Sequence, residues 1–214
     1  MIRDIFKLCA DSLRAFAKDK YGVKLKPAHA HELVAAYFGY ATKNALIADK
    51  KFSVSNLPKA KYIVLIPEQQ IDERRRELEG FSPELPDSYQ IGESVYTALF
   101  QDKYWSSEYP PFRGFEKLAK TLIEESYIYN ETFKDFLNIP VEHYVVPTKL
   151  DSECKLTVSH TYKSLTGESI IYGQSVVKLP RVAGHIAFGD HTISATRNTG
   201  NRKQLLKVVG GEYE

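Results

Sequence analysis

The sequence predicts an α+β protein, with an N-terminal helical module, mixed helices in the middle and a C-terminal antiparallel β-meander. Through residues 1–138, apolar side chains recur at steps of three and four, which is the spacing of one helix face. From residue 139 onward the chain changes to short apolar runs separated by turn residues, which is typical of strands. A chain of 214 residues with 43% hydrophobic residues can bury a substantial core in one or two domains.

Three helices are predicted in the first fifty residues. An amphipathic pattern covers residues 2–19, and Gly22 is a natural C-terminal cap for that helix. The second helix is expected at Pro27–Phe38, because proline is favoured in a first helical turn. Thr42 is the expected N-cap of a short third helix over Lys43–Asp49.

Residues 59–138 predict one buried strand and four more helices. Prolines flank the strand, and the helix after it is very polar, with three consecutive arginines. The strand lies at Tyr62–Ile66, and the helices lie at Glu68–Glu79, at about 92–103, at about 112–129 and at Glu131–Leu137.

The C-terminal part predicts a sheet over about 139–210. Hairpin turns are expected at Leu165–Glu168, at Gly189-Asp190 and at Asn198–Asn201. The strands lie at Val141–Val146, Lys155–Tyr162, Ser169–Leu179, Arg181–Phe188, His191–Arg197 and Gln204–Val209. The chain then divides into a basic three-helix module over 1–58 and an α+β domain over 59–214. If the Tyr62–Ile66 strand joins the C-terminal sheet, the whole chain is a single domain instead.

Cysteine content and hydropathy indicate the compartment. Cys9 and Cys154 are far apart and form no CxxC or Cys/His cluster, which indicates buried thiols in a reducing compartment. No stretch approaches the roughly 18 apolar residues that a membrane span needs. Charges interrupt the apolar residues of the N-terminus, unlike those of a secretory signal. We therefore expect a cytoplasmic protein without a membrane partner.

Charge is segregated along the chain. Residues 1–60 contain eleven Lys/Arg against five Asp/Glu, a net charge of +6, whereas residues 61–150 contain ten against sixteen, a net charge of −6. A basic segment can bind a polyanion, or it can dock on an acidic segment of its own or another chain. The first interpretation predicts DNA or RNA as the partner, and the second predicts a protein partner or self-association.

The segment Glu32–Asp49 has helix-turn-helix spacing. Ala35 lies four positions before Gly39, so a small residue and a glycine allow two helices to cross closely. Ala45 and Ala48 are expected to face the first of these helices. A tight corner in an ordinary helical bundle has the same spacing, so the motif alone does not establish a function.

The start of the third helix supplies the predicted nucleic-acid contacts. Lys43 and Asn44 would stand at the exposed start of a recognition helix, where side chains reach phosphates or base edges. Together with the cap residue Thr42 and the upstream Lys24 and Lys26, they form the predicted nucleic-acid-binding set. The leading hypothesis is therefore a non-enzymatic nucleic-acid-binding protein, and a protein-interaction module is the first alternative.

Residues 24–49, KLKPAHAHELVAAYFGYATKNALIAD, resemble a short N-terminal helical module of uncharacterised bacterial proteins, some of them plasmid-borne. The shared features are a Lys-x-x-His-like start, a Glu-Leu-Val-Ala core and a Phe-Gly-Tyr turn before Ala45-Leu46. The resemblance covers about an eighth of the chain. It implies a bacterial origin and a mobile-element context, but no activity.

Histidines in the predicted β region offer a second alternative, an enzyme with a dispersed site. A hairpin at Gly189-Asp190 would bring His185 and His191 close together, and His160 would join them from a neighbouring strand. With Asp190, such a group could support acid-base or metal chemistry. Strand residues that face solvent explain the same positions.

Other patterns argue against a metal and a cofactor. His29 and His31 lie two residues apart at a helix start, so they point in different directions and cannot share a metal without further ligands. The sequence motifs of nucleotide hydrolysis, dinucleotide binding, serine hydrolases and zinc proteases do not occur. We therefore expect neither a metal nor a cofactor.

Two further groups of cations have competing explanations. The run Arg74-Arg75-Arg76 lies among acidic residues at helical spacing, which favours a salt-bridged exposed helix over a phosphate site. A basic-aromatic face for single-stranded nucleic acid is the other prediction, against exposed cations on a half-buried sheet. Its residues are Lys178, Arg181, Arg197, Arg202 and Lys203, with Tyr162 and Tyr172.

Overall fold

The α+β class is confirmed by the computed structural model, which contains helices and antiparallel strands with a C-terminal meander. It describes residues 4–65, 68–80, 84–101, 105, 107–134, 141–163 and 170–198. Contacts divide the chain into two compact units. Unit 1 contains Met1–Gly114 and Arg181–Gly189, and unit 2 contains Phe115–Pro180 and the residues from Asp190 onward.

Unit 1 is mainly helical. The first helix packs against the second and the fifth, and the second also packs against the fourth. Their shared core is built from alanines and larger aliphatic side chains, which allows the helices to approach closely. The helices are α1 (Ile5–Tyr21), α2 (Pro27–Tyr37), α3 (Lys43–Ala48), α4 (Gln69–Glu77) and α5 (Ser88–Gln101), with a 3₁₀ helix at Val54–Lys59.

The predicted limits of the first three helices are confirmed to within a few residues. Asp4 caps α1 by accepting hydrogen bonds from two amides of its first turn, and Gly22 ends the helix with φ of 68°. Gly39 follows α2 with φ of 85°. The hydroxyl of Thr42 caps α3 by accepting from the Ala45 amide at 3.1 Å.

The corner between α2 and α3 differs from the prediction in the residues that face inward. Ala35 is fully buried, as the close crossing requires. However, Ala45 and Ala48 are exposed, and Leu46 is the buried residue of α3. The prediction for the two alanines is wrong because a helix of six residues makes fewer than two turns. Such a helix gains more by burying one leucine than by burying small side chains.

A small antiparallel sheet belongs to unit 1. Strand β1 (Tyr62–Ile63) pairs with β5 (Ala187–Phe188), and β5 pairs with the last residues of β4 (Ile170–Ala183). The predicted strand at Tyr62–Ile66 is thus confirmed for its first two residues, and Ile66 lies outside the described residues.

The prediction of one continuous strand at Arg181–Phe188 is wrong. The chain turns at Gly184, which has φ of 54°, and β5 follows as a separate strand. A Cβ at Gly184 would lie 2.9 Å from the carbonyl oxygen of Phe38, so glycine is required there both for conformation and for space.

Unit 2 contains an antiparallel sheet in the order β2-β3-β4-β6, with two helices. Burial alternates along β3, so that every second residue from Cys154 to Tyr162 faces the interior. Helix α6 contacts β2 and β3, and α7 contacts β6. The elements are α6 (Phe115–Glu124), α7 (Tyr127–Thr132), β2 (Val141–Lys149), β3 (Glu153–Lys163), β4 as far as Pro180 and β6 (Thr192–Asn198).

Two predictions for unit 2 are wrong. The helix expected over 112–129 is two helices, because Ser126 caps α7 through a hydrogen bond from the Tyr129 amide and interrupts the apolar stripe. The hairpin expected at Gly189-Asp190 does not form, because β5 and β6 both pair with β4 and not with each other. The turn at Leu165–Glu168, most of the turn at Asn198–Asn201 and the strand at Gln204–Val209 lie outside the described residues.

Both cysteines are free and buried, as predicted. Burial is the main cause that raises the pKa of Cys9 to about 12 and that of Cys154 to about 11. Neither thiol is therefore activated as a nucleophile. Among the residues described, no helix has the length and apolar character needed to cross a membrane.

Candidate functional site

A groove of about 760 Å³ lies in unit 1, lined by residues of α1, α2, α3 and the 3₁₀ helix. Four cationic side chains line it: Lys7 and Arg14 from α1, Lys43 from the start of α3, and Lys50 just after α3. The carboxylates of Asp4 and Asp11 line it as well. We call this surface the basic groove.

Helical spacing and capping decide which charges in the basic groove are compensated. Lys7, Asp11 and Arg14 follow one another at steps of four and three, so they share one face of α1. Arg14 and Asp11 form an exposed ion pair at 3.5 Å. The Asp4 carboxylate accepts from the first amides of α1, where the helix dipole favours a negative charge. The ammonium groups of Lys7, Lys43 and Lys50 have no carboxylate partner among the described residues.

The start of α3 is fixed by Glu32 of α2. One oxygen of this carboxylate accepts from the Lys43 amide at 2.9 Å and from the Arg74 guanidinium at 2.8 Å. The backbone of Lys43 is therefore held in place, whereas its ammonium group lines the groove.

His31 lies among charges of both signs in the groove. Burial is the main cause that lowers the pKa of His31, and the nearby charge of Lys43 lowers this pKa further, whereas the carboxylates of Asp11 and Asp4 act in the opposite direction. Its ring stacks on Phe6, with ring centroids 5.1 Å apart and an interplanar angle of 22°. An apolar floor beside unpaired ammonium groups suits an anionic ligand that also carries flat or apolar parts.

Lys43 is the member of the predicted nucleic-acid-binding set that lines the basic groove. The Thr42 hydroxyl is engaged in capping α3, and Asn44 is exposed without lining the groove. Lys24 and Lys26 are exposed before α2, and Lys26 is its N-cap residue.

Three groove cations were missed from the sequence: Lys7, Arg14 and Lys50. For Lys7 and Arg14 the sequence signal is the polar face of the first helix, which predicts exposure but not proximity to α3, and Lys50 lies just after α3. The packing of α1 against α2 brings these segments together, and that packing is not local in sequence.

The structure assigns His160 to the interior of unit 2. It is 1% exposed, and its two ring nitrogens lie 2.8 Å from Nδ1 of His143 and 2.8 Å from the Ser175 hydroxyl. Tyr129 and Phe133 of the α7 segment pack against the same ring. His160 and Ser175 are buried and are not exposed to a substrate, so a structural role explains them better than catalysis.

The other members of the predicted histidine group have separate surroundings. His185 belongs to unit 1, where its ring lies 5.0 Å from that of Tyr40, whereas Asp190 and His191 belong to unit 2. The hairpin that was to unite them does not form. Within the described part of the chain, no group of three or more His, Cys, Asp or Glu residues could hold a metal ion.

The salt-bridged helix predicted around Arg74 is confirmed, since Arg74 pairs with Glu77 at 2.7 Å. Two members of the predicted basic-aromatic face are not available to a ligand. Arg181 has a side chain that is 6% exposed and donates to Asp49 at 2.8 Å, and buried Tyr162 shares a hydrogen bond with Tyr129.

Lys178 and Arg197 of the same predicted face are exposed on the sheet of unit 2. Arg202 and Lys203 lie outside the described residues.

Comparison with known proteins yields no match to a family model, to a curated protein or to a solved structure. The basic groove is therefore interpreted from its own residues. Three ammonium groups on one concave surface, none of them paired with a carboxylate of the described residues, can neutralise phosphates of a nucleic acid.

Proposed function

We propose that this chain is a nucleic-acid-binding protein that contacts the phosphate backbone through the basic groove. The observation that carries the proposal is the presence in a single groove of three ammonium groups, those of Lys7, Lys43 and Lys50, that form no ion pair with a described carboxylate. With Arg14 they outnumber the two carboxylates of the groove, those of Asp4 and Asp11. Each can release a condensed counterion from the nucleic acid, which is the main source of sequence-independent affinity.

The proposed contact is to phosphates rather than to base edges. Helix α3 has six residues and spans only about 9 Å, which is short for a helix that must lie along a major groove. Its exposed residues are Asn44, Ala45, Ile47 and Ala48, of which only Asn44 can form a hydrogen bond to a base edge. The helix-turn-helix proposal is thus refined to a binding mode with little sequence preference.

A bacterial origin and a mobile-element context, implied by residues 24–49, are part of this proposal. Neither is needed for the phosphate contacts, which depend on the groove alone. Self-association or a protein partner is the alternative that the opposite net charges of residues 1–60 and 61–150 favour. Light scattering across a salt series separates the two, because self-association through opposite charges lowers the mass as salt rises.

The proposal is tested by fluorescence anisotropy with a labelled 20-base-pair duplex and a 20-nucleotide single strand across a salt series. Three phosphate contacts predict a slope of about −2.7 for log K against log salt on the duplex. The Lys43→Gln variant should reduce the magnitude of that slope by about one on any duplex sequence.

The matched control is Lys59→Gln, since Lys59 is exposed on the 3₁₀ helix but does not line the groove. This variant should bind as the unaltered chain does. Equal losses in the two variants, or no binding at low salt, would overturn the proposal.

A further inference from the structure

A second cavity, of about 300 Å³, lies in unit 1 and shares no lining residue with the basic groove. Residues of α2, α4 and α5 line it, together with residues that follow β1 and residues that precede α6. Its carbon surface comes from three aromatic and two aliphatic side chains, those of Tyr37, Tyr89, Tyr96, Leu65 and Ile71. We call it the tyrosine cavity.

The charged side chains of the tyrosine cavity favour a cationic ligand. Glu68, at the start of α4, and Glu93, on α5, supply two carboxylates against the single guanidinium of Arg113. Within the described part of the chain, the exposed Glu68 forms no ion pair. Arg113 and Glu93 lie 3.8 Å apart, with side chains 70% and 39% exposed. An ion pair this exposed is weak, so the negative charge of Glu93 also remains open to a ligand.

The hydroxyl groups of Tyr37 and Ser88 offer a ligand little hydrogen bonding. Tyr37 is 3% exposed and its hydroxyl is buried, so a ligand in the cavity meets carbon atoms of this residue. The Ser88 hydroxyl already donates to the Asp72 carboxylate and accepts from Arg75 at 3.3 Å. A primary ammonium group carries three N–H donors that need acceptors, whereas a quaternary ammonium group carries none. The wall therefore suits a cation without N–H groups.

Tyr89 already has a cation over its ring. The central carbon of the Arg113 guanidinium lies 6.0 Å from the ring centroid, and Tyr89 itself is 45% exposed. The face of an aromatic ring attracts cations, and quaternary ammonium ions are the ligands most often recognised in this way. A ligand cation would therefore compete with Arg113 for the same ring and the same carboxylate.

We propose that the tyrosine cavity binds a free small molecule with a trimethylammonium head, of the choline class. The methyl groups contact the tyrosine rings, and Glu68 and Glu93 supply the opposite charge. An apolar cavity of about 150 Å³ holds benzene, so about 300 Å³ has room for this head and a chain of a few atoms. The site is independent of nucleic-acid binding by the basic groove.

Isothermal titration calorimetry of the full chain with choline chloride tests the proposal, with sodium chloride added to keep the ionic strength constant. Dimethylbutanol, in which carbon replaces the nitrogen of choline, has the same shape without the charge. Ethanolamine has the charge without the methyl groups. Choline should bind, and both analogues should bind at least about tenfold more weakly, because each lacks one half of the recognised group.

Substitutions of the charged residues should act in opposite directions. Glu93→Gln should weaken choline binding about two- to fivefold, because it removes an exposed opposite charge. Arg113→Gln should strengthen binding by a similar factor, because it removes the competing cation. A purely structural role of the pair would weaken binding in both variants.

Tyr89 provides a test of the aromatic contact. Tyr89→Phe keeps the ring and should bind choline as the unaltered chain does. Tyr89→Leu removes the ring and should weaken binding roughly two- to fivefold. Because the side chain is 45% exposed, neither substitution disturbs the packed core.

Gly92 on α5 provides a matched pair of variants that test the location. A Cβ at this position would lie 3.7 Å from the Tyr37 ring and 3.8 Å from Ile71, which is ordinary contact, so Gly92→Ala should retain binding. Gly92→Leu extends a side chain against these walls and should abolish it. Circular dichroism establishes that both variants are folded, and the choline analogues test the site even if the leucine variant is not.

Three results would overturn the proposal. One is the absence of choline binding up to about 20 mM, which is weaker than the millimolar affinity of a marginal ligand. Another is equal binding of choline and dimethylbutanol, which would show that the charge is not recognised. The last is binding of a trimethyllysine peptide without binding of choline, which would assign the cavity to a modified protein. Lys43→Gln should leave choline affinity unchanged, so this proposal and that for the basic groove fail separately.

Discussion

Acidification from pH 7.5 to 5.0 should destabilise unit 2 through His160. This side chain lies on the buried face of β3, between His143 and Ser175, and no described carboxylate forms a hydrogen bond or an ion pair with its ring. Burial, followed by the nearby charge of His143, lowers the pKa of His160 to about 3. A protonated imidazole is therefore strongly disfavoured in the folded state.

The direction and size of the effect follow from proton linkage. An unfolded histidine has a pKa of about 6.5, so between that pH and about 3 the unfolded chain binds a proton that the folded chain does not. The contribution of His160 to the free energy of unfolding is fully present above pH 6.5, and it is lost progressively as the pH is lowered from 6.5 towards 3. For one such group, the loss between pH 7.5 and 5.0 is about 2 kcal/mol.

Urea unfolding followed by circular dichroism at the two pH values measures this loss. Other groups also titrate, so the quantity of interest is the loss in the unaltered chain minus the loss in His160→Gln. Glutamine can still hydrogen-bond to Ser175 but cannot be protonated, so about 2 kcal/mol of the acid loss should disappear. His29→Gln, at a partly exposed position on α2, is the control and should retain the full loss.

A direct measurement tests this prediction even if His160→Gln is much less stable than the unaltered chain at neutral pH. Nuclear magnetic resonance of the imidazole protons follows the titration of His160 in the unaltered chain. An observed midpoint near 6.5, or the same acid loss with and without His160, would refute the reasoning from burial.

Three substitutions elsewhere test the packing, each by urea unfolding at neutral pH. Gly173→Ala should cost about 1–3 kcal/mol, because the added Cβ would overlap the ring of Phe133; an unchanged midpoint would show that the ring moves aside. Arg181→Met should cost about 3 kcal/mol, because it leaves the Asp49 carboxylate without its buried guanidinium; a cost below 1 kcal/mol would contradict this. Gly92→Ala should raise the free energy of unfolding by about 0.5–1 kcal/mol, because it lowers the entropy of the unfolded chain at a helical position with room for a methyl group. A loss of stability in Gly92→Ala would show that the Tyr37 ring and Ile71 leave less room at this position than their distances indicate.

Elements with local signals could be predicted from the sequence. The first three helices are delimited by residues that act on their own backbone, such as Gly22 with its positive φ and the hydroxyl of Thr42. The alternation of buried residues from Cys154 to Tyr162 is likewise a property of the strand itself. These features do not depend on which segments later become neighbours.

Features that depend on strand register or long-range packing could not be predicted. The sequence predicts a strand that contains His160, but the pairing of β2 with β3 decides that its partner is His143. Similarly, Gly184 turns the chain before β5, so that Gly189-Asp190 is not a hairpin. The sequence has a glycine at both positions, Gly184 and Gly189, and by itself it does not show which of them turns the chain into the next strand.

The candidate site was predictable in part for the same reason. Lys43 follows its N-cap residue, so its position at the start of a helix has a local signal. Lys7 and Lys50 lie on either side of it in sequence, and only the packing of the helices brings them to one groove.

Net charge along the sequence is a poor guide to which segments attract each other. The basic segment 1–60 contributes the carboxylate of Glu32, and the acidic segment 61–150 contributes the guanidinium of Arg74, to an ion pair at 2.8 Å. This contact between the two segments is therefore opposite in sign to their net charges. It pairs Glu32, one of the five acidic residues of the basic segment, with a guanidinium that does not line the groove. Of the acidic residues in that segment, Asp4 and Asp11 line the groove and Glu32 does not, so an anionic partner meets four cationic side chains against two carboxylates.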